Sequence, residues 1–120
     1  MVRGLRGATT VLNNKKDDII RETQKLLLDM VCKNNIKVEE IVCIIFSTTL
    51  DINEVYPAEA ARLLGWNSVP LLCLQEAFVK GSLQNCIRVL MLVNTDKTQE
   101  EVVHVYLNGA TELRKDLVDN

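Results

Sequence analysis

The 120 residues of this chain fit one compact domain, and a composition of 48% hydrophobic and 25% charged residues is that of an ordinary globular protein. A formal net charge of -2 argues against a surface for nucleic acid or for an anionic membrane. No segment approaches the length of a bilayer span and no apolar leader follows the first residues, so we expect a cytoplasmic protein with a single domain over residues 1–120. Four cysteines without a CxxC pair argue against a zinc site and suggest buried thiols in a reducing compartment.

The first part of the chain predicts a strand, a long helix and a second strand. Residues 2–11 predict the first strand, although two glycines interrupt it. Residues 17–33 place apolar side chains at helical spacing after an Asn pair that can cap the helix. Residues 41–46 are apolar at every position, which predicts a central strand that is covered on both faces.

The second part predicts a short helix over residues 57–64, strands over 69–75 and 86–93, a brief helix after the capping box at 98–101, and a last strand at 105–107. Alternating strands and helices indicate an α/β or α+β sandwich. Two of the strands have no polar face, yet one long and two short helices are all that the chain offers to cover the sheet. We therefore expect copies of the protein to associate through their sheet faces.

Arg88 is the one cation in the apolar run of residues 86–93. A guanidinium stays charged at any working pH, and removing it from water costs several kcal/mol unless an anion receives it. Either a carboxylate of the chain pairs with Arg88 as a structural ion pair, or the anion is a ligand. A carboxylate that occupied Arg88 permanently would argue against the ligand.

Familiar catalytic signatures are missing from the sequence. His104 is the only histidine, no GxSxG or Cys–His signature surrounds it, and we interpret it as an exposed or capping residue at a helix end. Phosphate-binding glycine patterns are also absent. What remains is five arginines with an acid, a thiol and a phenol: Arg3, Arg6, Arg62, Arg88, Arg114, Glu76, Cys73 and Tyr106.

Such a set suits either an anion-binding module or an enzyme that needs only charge placed where the transition state develops it. Each member also has a plainer interpretation. Arg6 could be a solvated surface residue, Cys73 could be core packing, and Glu76 could simply end a strand.

Five motifs occur in the chain in an order that is typical of one family: Arg3-Gly4-Leu5-Arg6-Gly7-Ala8-Thr9-Thr10, Tyr56-Pro57-Ala58 with Arg62, Val69-Pro70 with Cys73 and Gln75-Glu76, Cys86-Ile87-Arg88-Val89, and His104-Val105-Tyr106-Leu107 with Leu113-Arg114. Together they resemble the monofunctional chorismate mutases of the Bacillus type, from Arg3 to about Leu117.

The resemblance implies an α+β fold, with a mixed sheet, one long and two short helices, and a homotrimer whose sheets form a pseudo-barrel. It implies active sites at the subunit clefts and the rearrangement of chorismate to prephenate, on the route to phenylalanine and tyrosine, without a cofactor or metal. Two alternatives stay open, a non-catalytic trimeric domain that binds anions and an enamine or imine deaminase of similar architecture.

The resemblance also implies roles for individual residues. Arg88 would donate to the ether oxygen of chorismate, which gains negative charge as its bond to carbon breaks. Glu76 and Cys73 would engage the ring hydroxyl. Arg6 and Tyr106 would hold a carboxylate and restrict chorismate to its compact, reactive conformer. The other substrate-binding positions are Tyr56, Ala58 and Arg62 at a rim from the facing subunit, with Leu72, Leu113 and Arg114.

The chain departs from the family pattern in three places. Glu59 stands where a lysine is common, Leu72 stands where a small polar residue is common, and residues 62–66 are one residue shorter than the family form. A further expectation concerns geometry. Cys73 and Glu76 point to opposite faces of a regular strand, so we predict an irregularity around residues 74–76 if both meet one substrate.

Overall fold

The computed structural model describes residues 1–113, which form one five-stranded sheet with two α-helices. The elements are β1 (Val2–Thr10), α1 (Lys16–Lys33), β2 (Ile41–Thr48), α2 (Ala58–Leu63), β3 (Leu71–Gln75), β4 (Cys86–Asn94) and β5 (Val105–Tyr106), with 3-10 turns at Val38–Glu40 and Asn108–Ala110. The strand order is β3-β2-β4-β1-β5. β4 is antiparallel to β1 and β2, whereas β1 with β5 and β2 with β3 are parallel, so the predicted mixed sheet is confirmed.

The helices cover one face of this sheet. α1 lies on β1 and buries Ile19, Thr23, Leu26, Leu27 and Met30. The approach is close at Gly7, where a Cβ atom would stand 2.5 Å from the Met30 sulfur, so the strand has a glycine at the contact. Leu26, Leu27 and Met30 pack with Phe46 and Met91 of the sheet in the main core.

The other face of the sheet is open in the single chain. Along β4, Ile87, Val89 and Met91 are buried, whereas Arg88 and Leu90 between them are exposed. β2 alternates in a similar way after a register shift between Ile41 and Cys43, with Ile44 and Phe46 buried and Ile45 between them partly exposed. The expectation that β2 is covered on both faces is therefore wrong for one chain, because the two helices lie on the same side.

Two local expectations were also wrong. The first helix begins without a side-chain cap from an asparagine, because the residue at its N-cap is Lys15. The capping-box bonds between Thr98 and Glu101 do form, at 2.9 and 3.3 Å, but they close a turn and no α-helix follows. Among the helices of residues 1–113, none combines the length and apolar character that a membrane span requires.

Candidate active site

Strand pairing brings the predicted site residues together on the open face. Arg88 in the middle of β4 is paired with Ala8 of β1 on one side and with Ser47 of β2 on the other. Ala8 is paired in turn with Tyr106 of β5. The side chains of directly paired residues lie on the same face of the sheet. Arg6 is two residues before Ala8 on β1, so its side chain lies on that face as well.

A cavity of about 280 Å³ lies at this place and is lined by Arg6, Arg88 and Tyr106 together with Ser47. Its volume is near the lower end of the range for small-ligand sites, about 300–1,000 Å³. Burial raises the pKa of the Tyr106 phenol, while the charges of Arg6 and Arg88 act in the opposite direction. The phenol therefore stays protonated at neutral pH and can donate to an anion between the two guanidinium groups.

Glu76 joins this group through its side chain. Its Oε2 atom lies 3.1 Å from Nε of Arg88 and accepts a hydrogen bond of 2.8 Å from Oγ of Ser47. The backbone N–H of Glu76 donates to the carbonyl of Thr48 at 2.8 Å, one step beyond the last pair of β2 and β3. Glu76 thus continues the pleat of β3 and faces the same side as Arg88.

Arg88 is not buried, contrary to our expectation, because 44% of its side chain is exposed in the single chain. The structural ion pair that we considered does form, and its partner is the predicted site residue Glu76. The contact that defines the pair is made by Nε of the guanidinium. A guanidinium carries five N–H groups, so this contact leaves Arg88 with further donors for a ligand.

Cys73 does not meet Arg88. It is paired with Phe46, whose side chain is in the core, so its thiol lies on the helix-covered side of the sheet. Burial raises the pKa of this thiol, against the effects of the Ala58 N–H and the charge of Arg62. The pairing of β2 with β3 stays regular through this segment, and β3 ends at Gln75. Cys73 and Glu76 consequently remain on opposite faces.

A second group of predicted residues surrounds Cys73. Tyr56 and Cys73 line a larger cavity of about 640 Å³, and Ala58 at the start of α2 is buried beside them. One turn further along the helix, Nη1 of Arg62 lies 3.3 Å from Oε2 of Glu59. The positive charges that would bind an anion, those of Arg6 and Arg88, converge in the smaller cavity. We therefore take the smaller cavity as the centre of the site.

The remaining predicted residues lie at the edges of the open face. Leu72 of β3 is exposed on that face, in line with Glu76. Leu113 packs with Tyr106 against a small cluster that contains the buried thiol of Cys86. Burial raises the pKa of Cys86 to about 11, so it remains a neutral thiol beside the site. Arg114 lies outside the described residues.

Comparisons with known proteins agree with this geometry. The family model for chorismate mutase type I matches residues 2–117. The chain belongs to this family. Two relatives, each a chorismate mutase AroH, cover 98% of the chain: the Bacillus subtilis protein is 45% identical over 93% of its own length, and the Thermus thermophilus protein is 49% identical over 97%.

A solved structure is equally similar. A chorismate mutase from Clostridium thermocellum superposes with a TM-score of 0.90 at 51% identity, over 91% of this chain and 97% of that one. The resemblance that the motifs indicated and the α+β class of the fold are thereby confirmed. The comparisons favour an isomerase of the chorismate mutase type over the deaminase and over the non-catalytic domain.

Two residues at the site were missed by sequence reasoning. Ser47 was taken as the start of a loop, although a polar side chain two positions after Ile45 in an apolar strand could have indicated a site on that face. His104 was expected to be exposed or to cap a helix. It is instead half-buried, and its Nδ1 accepts a hydrogen bond of 2.9 Å from the backbone N–H of Arg6.

The described residues 1–113 contain no candidate metal site. Within residues 1–113, no three side chains of His, Cys, Asp or Glu come close enough to share an ion. The arrangement instead offers cationic and phenolic donors around one cavity, with a carboxylate held at its edge. Chemically, it can bind a small polyanion and stabilise negative charge that develops on a bound oxygen.

Proposed function

We propose that the protein converts chorismate to prephenate at the cavity lined by Arg6, Arg88 and Tyr106. One observation carries the proposal: three donors converge there beside a carboxylate that is already fixed against Arg88. Chorismate has two carboxylates, an ether oxygen and a ring hydroxyl, which this combination of donors and acceptor matches. Membership of the chorismate mutase type I family supports the assignment.

The reaction is an intramolecular rearrangement in which the ether carbon–oxygen bond breaks while a new carbon–carbon bond forms. No proton is transferred and no covalent intermediate is needed, so the site requires neither a base nor a nucleophile. Negative charge grows on the ether oxygen, and the free N–H groups of Arg88 donate to it more strongly in the transition state than in the ground state. The contact of Nε with Glu76 holds the guanidinium in place beforehand.

Other residues select the reactive shape of the substrate. Arg6 and Tyr106 bind a carboxylate and restrict chorismate to its compact conformer, which lowers the entropic part of the barrier. Glu76 accepts a hydrogen bond from the ring hydroxyl. Leu72 and Leu113 supply apolar contact at the edges of the open face, and Arg114 is assigned to substrate binding.

We assign the second group, Tyr56, Ala58, Arg62 and Cys73, to a neighbouring copy of the chain in a homotrimer. These residues lie on the far side of the sheet from Arg88, so one chain cannot present both groups to one small molecule. The exposed apolar side chains of Leu72, Leu74 and Leu90 on the open face support burial against another copy. Each active site is then a cleft between two subunits.

The remaining parts of the proposal concern context. We assign the protein to the cytoplasm as a single domain over residues 1–120, with no cofactor and with no nucleic acid or membrane as a partner. Its net charge of -2 and the absence of a membrane-spanning helix in residues 1–113 are consistent with this assignment.

The activity is tested with purified protein and chorismate. We expect the ultraviolet absorbance of chorismate to fall and prephenate to accumulate in equal amount by proton NMR, with saturation at increasing substrate. Protein denatured with urea serves as the control. If chorismate is consumed no faster than in buffer, the proposed function is wrong, and turnover of an imine substrate instead would favour the deaminase.

The shared site is tested by mixing two inactive variants. Arg88→Ala removes the first group and Arg62→Ala impairs the second, so mixed trimers contain some clefts with both arginines intact. We expect activity to reappear after the variants are unfolded together and refolded as a mixture. If the mixture stays as inactive as its components, the two groups do not meet between subunits.

A further inference from the structure

We infer that Ser47 is a positioning residue that fixes the carboxylate of Glu76 for catalysis. The inference rests on the proposed function, because the work of Glu76 is to receive the ring hydroxyl of chorismate. Its basis is the hydrogen bond of 2.8 Å from Ser47 Oγ to Oε2 of Glu76, the same oxygen that lies 3.1 Å from Nε of Arg88. Two donors therefore converge on one carboxylate oxygen.

This arrangement determines which oxygen remains for a ligand. Oε2 accepts the hydrogen bond from Ser47 and makes the contact with Nε of Arg88, and within residues 1–113 no hydrogen bond reaches Oε1. An ionised carboxylate offers about four acceptor positions on its two oxygens. Because Ser47 and Arg88 contact Oε2, Oε1 can accept a hydrogen bond from the substrate hydroxyl.

Glu76 needs such support because of its place in the chain. β3 ends at Gln75, so Glu76 is the first residue of the segment that leads to β4. A glutamate side chain has several rotatable bonds, and ordering it costs rotamer entropy. The backbone bond of Glu76 to Thr48 fixes its Cα atom but leaves the carboxylate free to turn.

Arg88 alone cannot provide this support during the reaction. Its side chain is long and 44% exposed, and its guanidinium must also engage the substrate. Ser47 has a short side chain on the interior strand β2, directly paired with Arg88. It therefore holds Glu76 from a fixed point of the sheet while N–H groups of Arg88 donate to the ether oxygen.

The test compares substitutions that differ in the hydroxyl group alone. Ser47→Val and Ser47→Thr have nearly the same shape, and only threonine retains a donor for Glu76. We expect Ser47→Ala and Ser47→Val to lower kcat roughly tenfold, the effect of losing one hydrogen bond to a charged group, with KM changed less than about threefold. Ser47→Thr should recover most of the loss. Ser68→Ala, which changes an exposed serine that does not line the cavity, is the matched control.

Dependence on Glu76 is tested in the Glu76→Ala background. If Ser47 acts through the carboxylate, Ser47→Ala lowers kcat no further once the carboxylate is absent. An equal loss of kcat in both backgrounds would overturn the inference, and so would a wild-type kcat in both Ser47→Ala and Ser47→Val.

A readout without chorismate separates this inference from the proposed function. The urea midpoints of wild type, Ser47→Ala, Glu76→Ala and the double variant are compared at one protein concentration. We expect the two substitutions to be non-additive, because each removes the same hydrogen bond. Additive midpoints would show that Ser47 does not hold Glu76, whereas inactivity of the wild type towards chorismate would refute only the proposed function.

Discussion

Replacing Arg88 with alanine is the most direct perturbation of the proposed mechanism. The side chain is half-exposed on the open face, and its neighbours across the sheet are the small residues Ala8 and Ser47. Truncation therefore removes little buried apolar area. Glu76 loses its cationic partner but keeps the hydrogen bond from Ser47. We expect the variant to fold and to keep most of its stability.

The catalytic effect should be much larger than the effect on stability. The ion pair with Glu76 is partly exposed, which limits its contribution to folding to about 1 kcal/mol. In the proposed mechanism, by contrast, the guanidinium faces charge that develops on one oxygen. Removing one fixed donor of that kind typically costs roughly 10²–10³ in kcat, or about 2.7–4 kcal/mol. The two effects differ enough for one experiment to separate them.

The assay measures kcat from the fall in chorismate absorbance and stability from urea unfolding. Arg88→Lys is the sharper variant, because it keeps the charge but has a single nitrogen that cannot hold Glu76 and donate to the ether oxygen in the same geometry. We expect it to lose most of the activity as well. Arg21→Ala, which removes an exposed arginine paired with Asp18 on α1, is the control and should retain full kcat. Near-normal turnover by Arg88→Ala would refute the reasoning.

Three further predictions follow from the charges around the site. Glu59→Gln frees the exposed Arg62 guanidinium and should lower KM for chorismate by roughly two- to fivefold at low salt, with no gain at high salt; an unchanged KM at low salt would contradict this. Cys86, buried and with a pKa of about 11, should react with a thiol reagent at pH 8 only after urea unfolding, as mass spectrometry of labelled peptides can show. Burial, reinforced by a neighbouring guanidinium, lowers the pKa of His104 below its ordinary 6.5, so the unfolded chain binds its proton more readily than the folded one. The stability that depends on neutral His104 is complete above pH 6.5 and is lost as the pH falls through the pKa of His104 in the folded state. His104→Asn should therefore show a smaller fall in urea midpoint between pH 7.5 and 5.5 than the wild type does.

The positions of the strands were predictable because their apolar content is high. Which face of each strand is exposed to solvent was not predictable in the same way. Residues 86–93 contain apolar side chains on both faces of β4, and the sequence alone suggested that Arg88 was enclosed among them. In the structure Val89 and Met91 face the helices, while Leu90 shares the open face with Arg88. An apolar run of this kind does not reveal whether the second face of the strand is covered by the same chain or by another copy.

The false helix after Thr98 shows why local signals can mislead. The capping-box bonds to Glu101 are made, so the local chemistry was interpreted correctly. Tertiary contacts then decide the conformation. Gln99 exchanges two hydrogen bonds with the backbone of Gly4, and His104 accepts one from Arg6, so this segment follows the edge of β1. Satisfying an exposed strand edge outweighs one capping interaction.

The pairing of Glu76 with Arg88 depends on strand order, which no pattern in the sequence contains. Glu76 directly follows β3 and Arg88 belongs to β4, and these two strands are joined in sequence by a loop but separated in the sheet by β2. Ser47 enters the site only because β2 lies between them. Motifs could therefore name Glu76 and Arg88 as candidates, whereas the residue that connects them required the fold.

The same sheet that unites these residues also divides the site. Cys73 is only three positions before Glu76, yet the alternation of the strand sends its thiol to the helix side with Tyr56 and Arg62. A bend in β3 could have joined the two groups within one chain, but the pairing with β2 is regular. If both groups serve one substrate, the second must come from another copy, so assembly becomes a condition for the reaction. The open apolar face and the incomplete site are then two consequences of placing both helices on one side of the sheet.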